Sequence, residues 1–264
     1  MERLTHAFAV CAYKESPYLS QCLDSVMAQT EKSEVFIATS TPSEYLADMA
    51  QSYNIPLYVG SHKSGIGRDW NYAYRQANAD WVTIAHQDDI YLPTYTARVM
   101  EKVATAQNPI MAYTDYAELR EGVEVTNNTL LQVKRLMNTP LIPVAAQRNK
   151  FLRNRIFSLG SPVSTPSAAY NKQRYPDLSF DEDMGTNLDW DMWERLARED
   201  GQFIYVPYIL VQHRVHTESE TSAGIEGGYR QAEDYEMYRR YWPAPIAKFI
   251  AKQYARSYAS NPNS

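Results

Sequence analysis

The feature that most constrains this chain is a strand–helix alternation running through its first 115 residues. Candidate strands are Phe8–Ala12, Glu34–Thr39, Leu57–Gly60, Trp81–Ala85 and Ile110–Thr114. Each is short, apolar and rich in β-branched or aromatic residues, as buried parallel strands tend to be. Helical stripes lie between them: Leu19, Cys22, Leu23, Val26 and Met27; then Tyr45, Leu46, Met49 and Tyr53; then Trp70, Ala73, Tyr74 and Ala77; then Tyr95, Val99 and Val103. Thr41-Pro-Ser-Glu44 matches a capping box ahead of the second stripe. This alternation predicts an α/β fold with a mostly parallel central sheet and helices on both faces. Such a sheet binds ligands outside the carboxyl ends of its strands.

After Asp115 the rhythm changes. Residues 116–180 hold Pro140, Pro143, Pro162, Pro166 and Pro176 and read as loops and mixed structure able to shape a second pocket. A helix follows at about Asp191–Arg198, then a strand at Phe203–Val211, then helices at about Gly228–Tyr241 and Ala244–Tyr258. The 264 residues suit one domain over 1–220, divided near 115, with a helical extension over 221–264.

The formal net charge of −5 argues against a general nucleic-acid binder, which needs a basic footprint. Cys11 and Cys22 have neither metal-ligand nor disulfide spacing and read as buried thiols of a reducing compartment. The apolar run Ala7–Ala12 is too short for a signal segment or a membrane span, so a cytoplasmic location is expected. The 21 tyrosines suit either a wide half-wet cleft or half-buried strand positions. Asn127-Asn-Thr129 is a formal glycosylation acceptor that carries no meaning without secretion.

The sharpest chemical motif is His86-Gln-Asp88-Asp89, directly after the apolar run Trp81–Ala85. It places carboxylates at the ligand-binding edge of the sheet. In an extended chain His86 and Asp88 would share one face and Asp89 the other. One carboxylate with substrate phosphates and waters is a usual way to hold Mg²⁺ or Mn²⁺. The competing reading is that Asp88 and Asp89 cap a helix beginning near Thr94. Two further clusters stand out: Asn187-Leu-Asp189-Trp-Asp191 before a helical stripe, and Gln212-His-Arg214-Val-His216 after a strand.

Three motifs in order resemble glycosyltransferase family 2, which has the GT-A fold. Ala12-Tyr13-Lys-Glu15, followed by Leu23-Asp-Ser and Gln29-Thr30, is similar to the family's opening strand and helix. Gly65-Ile-Gly-Arg68-Asp-Trp-Asn71 resembles its glycine-rich turn and Asn-bearing helix. His86-Gln-Asp88-Asp89 sits where the family keeps an Asp-X-Asp metal motif. The likeness covers nearly the whole chain and is weakest over 116–180.

The resemblance implies that residues 1–115 bind a nucleotide sugar and 116–220 form the acceptor and catalytic half. Tyr13 would stack on a pyrimidine, Glu15 would lie near base or ribose, and Arg68, His86 and Asp89 would line the nucleotide site. Asp88 would bind the metal directly, His216 would join it, and Arg214 would reach the diphosphate. Asp189 would be the general base of an inverting transfer; Asp191 is the alternative base, or a helix-cap acid. The chain departs from the family at His86, at Leu188 (usually Glu) and at Ala38-Thr39 (often paired Asp).

The implied enzyme moves a hexosyl or deoxyhexosyl group from a UDP- or dTDP-sugar to a glycan or lipid-linked acceptor, with Mn²⁺ or Mg²⁺. Residues 116–180, including 161–167, would line the acceptor side. The Gln-Asp-Asp form is similar to that of some rhamnosyl-transferring relatives. The amphipathic stretch Ala244–Tyr254 either rests on a membrane surface that holds the acceptor or packs on its own domain. A nucleotidyltransferase would carry a Gly-rich basic loop where this chain has Tyr13-Lys-Glu-Ser-Pro17. A non-catalytic sugar-nucleotide-binding protein is the rival from another class.

Overall fold

The computed structural model describes residues 4–215 and 229–259. Its first half is the expected alternation: β1 (His6–Ala12), α1 (Leu19–Met27), β2 (Glu34–Thr39), α2 (Glu44–Tyr53), β3 (Leu57–Val59), α3 (Ile66–Gln76), β4 (Trp81–His86), β5 (Ile90–Tyr91) and α4 (Tyr95–Thr105). Strands β3-β2-β1-β4 pair in parallel, with Ala7–Ala12 of β1 aligned to Glu34–Thr39 of β2 and His6–Cys11 to Trp81–His86 of β4. Phe8, Val10, Phe36, Ile37, Val82 and Ile84 are sealed between helices on both faces, which is why these strands carry few polar residues.

The second half is β6 (Pro109–Arg120), β7 (Val123–Val125), α5 (Thr129–Asn138), α6 (Lys150–Arg155), β8 (Ala168–Asn171), α7 (Leu188–Ala197), β9 (Gln202–Val215), α8 (Tyr229–Arg239) and α9 (Ala244–Ala259). Two strands run longer than their apolar cores foretell. β6 continues from Thr114 to Arg120 and β9 from Val211 to Val215, paired in parallel. The pairing slips between Thr114 and Tyr116, opposite Pro207 and Tyr208, which are exposed and lack partners in the register. Such a bulge bends both strands. The bent end of β9 comes to pair with β5, Ile90 opposite Gln212. β8 is antiparallel to both of its neighbours, so the sheet is mixed to the right of β4.

The C-terminal helices are part of the core. Met237 and Tyr238 of α8 and Ala247 of α9 are fully buried with Trp190, Trp193 and Phe157. Among the described residues eight tyrosines, including Tyr74, Tyr91, Tyr95, Tyr113 and Tyr170, are buried as well, and most of the others are half-buried.

Candidate active site

β4 ends at His86, and the chain turns at once: the Asp89 amide donates to the His86 carbonyl at 3.3 Å. The expected alternation of faces therefore fails. In the turn, one ligating atom each from His86, Asp88 and Asp89 converges within 4.8 Å. Neither aspartate caps α4, which starts at Tyr95, six residues beyond Asp89, behind Thr94.

Asp89 is fully buried and is the keystone of this loop. Its Oδ1 accepts from His213 Nδ1 (2.9 Å) and from the Arg214 amide (2.8 Å), both on the bent end of β9. Its Oδ2 lies 3.5 Å from His86 Nδ1 and has no hydrogen-bond partner. The His86 ring stacks on Trp70 of α3 at 5.2 Å, and its buried Nε2 is also without a partner. Burial opposes protonation of His213, but the charge of Asp89, the bond to it and the charge of Asp88 together raise its pKa. An orphaned carboxylate oxygen beside two further donors is a set that accepts a divalent cation, so the residues fit Mn²⁺ or Mg²⁺.

Arg214 is nearly buried. Its Nε donates to the Asp88 carbonyl (2.8 Å), its Nη2 donates to Gln21 Oε1 (2.8 Å), and its guanidinium lies over the Tyr18 ring at 4.1 Å. It thus braces the Asp88 backbone from behind. His216 lies outside the described residues.

On the other flank, Gln87 makes a two-way clamp on the Tyr13 backbone, donating to its carbonyl and accepting from its amide, both at 3.1 Å. Tyr13 is left 42% exposed at the carboxyl end of β1. Lys14 takes a left-handed conformation (φ 56°) and donates its amide to Thr41 Oγ1, which ties this loop to the end of β2. Glu15 beside it is exposed. Arg68, in the first turn of α3, pairs with Glu182 at 3.3 Å. That turn approaches residues 181–182 so closely that a Cβ at Gly67 would sit 2.8 Å from the Asp181 carbonyl oxygen. Asn71, fully buried, donates to the Phe180 carbonyl and accepts from its amide. The glycine-rich turn and its asparagine therefore hold the segment that leads into α7.

At the start of α7, Asp189 Oδ2 accepts from Thr165 Oγ1 (2.6 Å) and Oδ1 from the Trp190 amide (2.6 Å). Burial raises its pKa, outweighing both hydrogen bonds and the nearby charges of Arg230 and Lys134. The turn Thr165–Ser167 is fastened to the segment that follows the His86–Asp89 turn: Tyr91 donates to the Pro166 carbonyl and Tyr95 to that of Ser167. Lys134 of α5 sits 5.2 Å above the Tyr116 ring, which packs edge-on against His213.

Asp191 faces the other way. Its carboxylate binds Arg195 Nε (2.8 Å) and Arg240 Nη1 (2.6 Å), joining α7 to the end of α8. It does not cap α7. The segment just ahead of α7 is fastened from α8: Glu233 accepts from the Gly185, Thr186 and Asn187 amides and from the Thr186 hydroxyl. Leu188 is fully buried, so the residue standing where the family has Glu belongs to the core.

The sequence model described as Glycosyl transferase family 2 matches residues 8–171. The chain belongs to glycosyl transferase family 2. The fold agrees with solved members of the GT-A class. Mannosyltransferase PcManGT from Pyrobaculum calidifontis, in complex with GDP-Man and Mn2+, superposes with a TM-score of 0.62 at 16% identity, covering 99% of this chain and 72% of that one. S. aureus TarS 1-349 in complex with UDP-GlcNAc gives 0.61 at 14% identity, over 94% and 70%. Glucosyl-3-phosphoglycerate synthase from Mycobacterium tuberculosis, with Mn2+, UDP and glucosyl-3-phosphoglycerate, gives 0.57 at 17%, over 88% and 78%. The chain spans 42% of the longer S. aureus TarS. None of the curated proteins matches the chain. No described helix is long and apolar enough to cross a membrane.

Proposed function

We propose that this family 2 chain is an inverting, metal-dependent glycosyltransferase. It moves a sugar from a nucleoside-diphosphate donor, a UDP- or dTDP-sugar, to a hydroxyl of a glycan or lipid-linked acceptor. The observation that carries this reading is the pairing of two unlike carboxylate sites on one side of the sheet. One is the His86–Asp88–Asp89 cluster, suited to a cation; the other is half-buried Asp189, whose carboxylate burial makes a better proton acceptor by raising its pKa.

In this reading Asp88 and the free oxygen of Asp89 hold the ion, which when bound neutralises charge on the departing diphosphate. Tyr13 offers its exposed ring to the base, with Glu15 nearby, and Arg68 lies on the nucleotide side. Arg214 acts on the diphosphate through the Asp88 backbone that it braces. The acceptor oxygen attacks the anomeric carbon as the bond to the diphosphate oxygen breaks, and the acceptor proton passes to Asp189. Asp191, engaged by two arginines, is a positioning residue for α7 in this scheme.

A thermal-shift panel of nucleoside diphosphates and nucleotide sugars with Mn²⁺ tests the donor, because a ligand of the native state stabilises by mass action. One donor should stand out, and its nucleoside diphosphate should be released during turnover with an acceptor-containing extract. Binding without release in every extract would favour a non-catalytic sugar-nucleotide-binding protein.

A further inference from the structure

Residues 125–176 contain no aspartate or glutamate, although the chain has 31 acidic residues. The middle of that stretch forms one outer face from α5, α6 and the segment between them. Leu131 and Asn138 turn inward from α5, leaving Val133, Leu136 and Pro140 outward at helical spacing. Leu136 and Phe151 are each 68% exposed and Leu159 is 56% exposed. Leu136, Pro140, Leu152, Arg155 and Leu159 line a shared cleft of about 140 Å³. Ile142 and Val144 between the helices are exposed as well.

The charges on this face are cationic. Arg148 and Lys150 are exposed, and Arg155 lies over the rings of Phe151 and Trp242. Lys150 pairs with Asp200, a carboxylate so exposed that the pair is readily exchanged for another anion. Trp242 donates its indole N–H to the Ser158 carbonyl and so joins the start of α9 to the face. α9 itself exposes Ile246, Phe249, Lys248 and Lys252.

An apolar surface of this extent on a folded domain marks an interaction site. The segment that forms it is basic and has no acid of its own, Asp200 reaching Lys150 from outside it, and this selects an anionic partner. A symmetric dimer through this face would set Arg148, Lys150 and Arg155 against their own copies, which like-charge repulsion disfavours. We propose that the α5–α6 face docks on an anionic lipid bilayer. The leucines and Phe151 enter the interfacial region, and Arg148, Lys150 and Arg155 meet headgroup phosphates. α5 also carries Lys134, which lies over Tyr116 beside His213, so docking would present a lipid-borne acceptor. That last clause rests on the proposed transfer; the docking does not.

Co-sedimentation of the full chain with two vesicle types tests this: phosphatidylcholine alone, and equal parts phosphatidylcholine and phosphatidylglycerol. The protein should pellet with the anionic vesicles and not with the neutral ones, less so as salt rises. Leu136→Ser with Phe151→Ser, and separately Arg148→Glu with Lys150→Glu, should each cut the bound fraction at least tenfold. Melting temperature and Mn²⁺-dependent nucleotide binding should stay at the parent's values. Retention of the parent in the supernatant, or undiminished pelleting of both variants, would overturn the proposal. So would a concentration-dependent dimer that Leu136→Ser with Phe151→Ser abolishes and vesicles do not compete with.

Discussion

The two ends of the proposed active site are built in opposite ways. The proposed metal loop draws its side chains locally: His86, Asp88 and Asp89 lie within four residues at the end of β4, and a single turn gathers them. The start of α7 is assembled from distant chain. Asn71 holds the lead-in segment, Thr165 holds Asp189, and Glu233 holds the Gly185–Asn187 backbone ahead of α7 from 46 to 48 residues away. The first takes its side chains from one turn and only its bracing from afar, through Asp89 and Arg214, whereas the second takes its side chains and its bracing from distant segments.

The largest expected effect is at the proposed base. Asp189→Asn keeps the side chain's shape and should keep donor binding, while transfer falls by roughly 10²–10⁴-fold, as for loss of a general base. The charged form of Asp189 is disfavoured in the folded state. Its contribution to stability is therefore present only below the unfolded pKa and lost as pH rises through the folded one. At neutral pH the variant should melt no lower than the parent. Equal transfer rates would move the base elsewhere.

Glu233→Ala comes next and tests the remote clamp. Three backbone amides lose their acceptor, which should cost roughly 2 kcal/mol in denaturant unfolding, with a fall in kcat and intact nucleotide binding. Burial raises the Glu233 carboxyl's pKa, but the four donors around it outweigh that and hold it below the usual glutamate range. The clamp thus stabilises above the unfolded pKa of about 4.3 and is lost as pH falls through the folded value. The difference in stability between variant and parent should therefore shrink in acid. A variant as stable as the parent at pH 7 would remove Glu233 from the account.

Much of the first end was legible because it depends on short-range pattern. The apolar runs set β1, β2 and β4 to within a residue or two, and Asp88 and Asp89 follow β4 directly. The direction of Asp89 was not legible, since alternation assumes a strand that in fact stops at His86. The second end was hidden for another reason. Nothing near Asn187 foretells Glu233, and the inward bend of β9 depends on a bulge at Pro207 whose pairing only the sheet fixes. The Gln87 clamp on Tyr13 had no signal beyond its place between the acids.

Asp191→Asn should sharpen the contrast between neighbours. Loss of its two arginine partners should cost about 1–2 kcal/mol of stability, both arginines being partly exposed. Transfer per folded molecule should stay near the parent's. A collapse of transfer in a folded Asp191→Asn protein would give it the role assigned to Asp189.

The smallest effect is expected at His86→Ala. The ring packs on Trp70 and touches Asp89 only at 3.5 Å, so nucleotide affinity should weaken modestly in calorimetry. Complete loss of metal-dependent binding would make His86 a required ligand.

The central claim is that a nucleoside diphosphate binds through a divalent ion held at the end of β4. Isothermal titration of UDP and dTDP into the parent and into Asp88→Asn, each with and without Mn²⁺, tests it most directly. The account predicts that one of the two binds the parent only when Mn²⁺ is present and does not bind Asp88→Asn, whose melting temperature is unchanged. Binding that ignores Mn²⁺, or that Asp88→Asn retains in full, would contradict it.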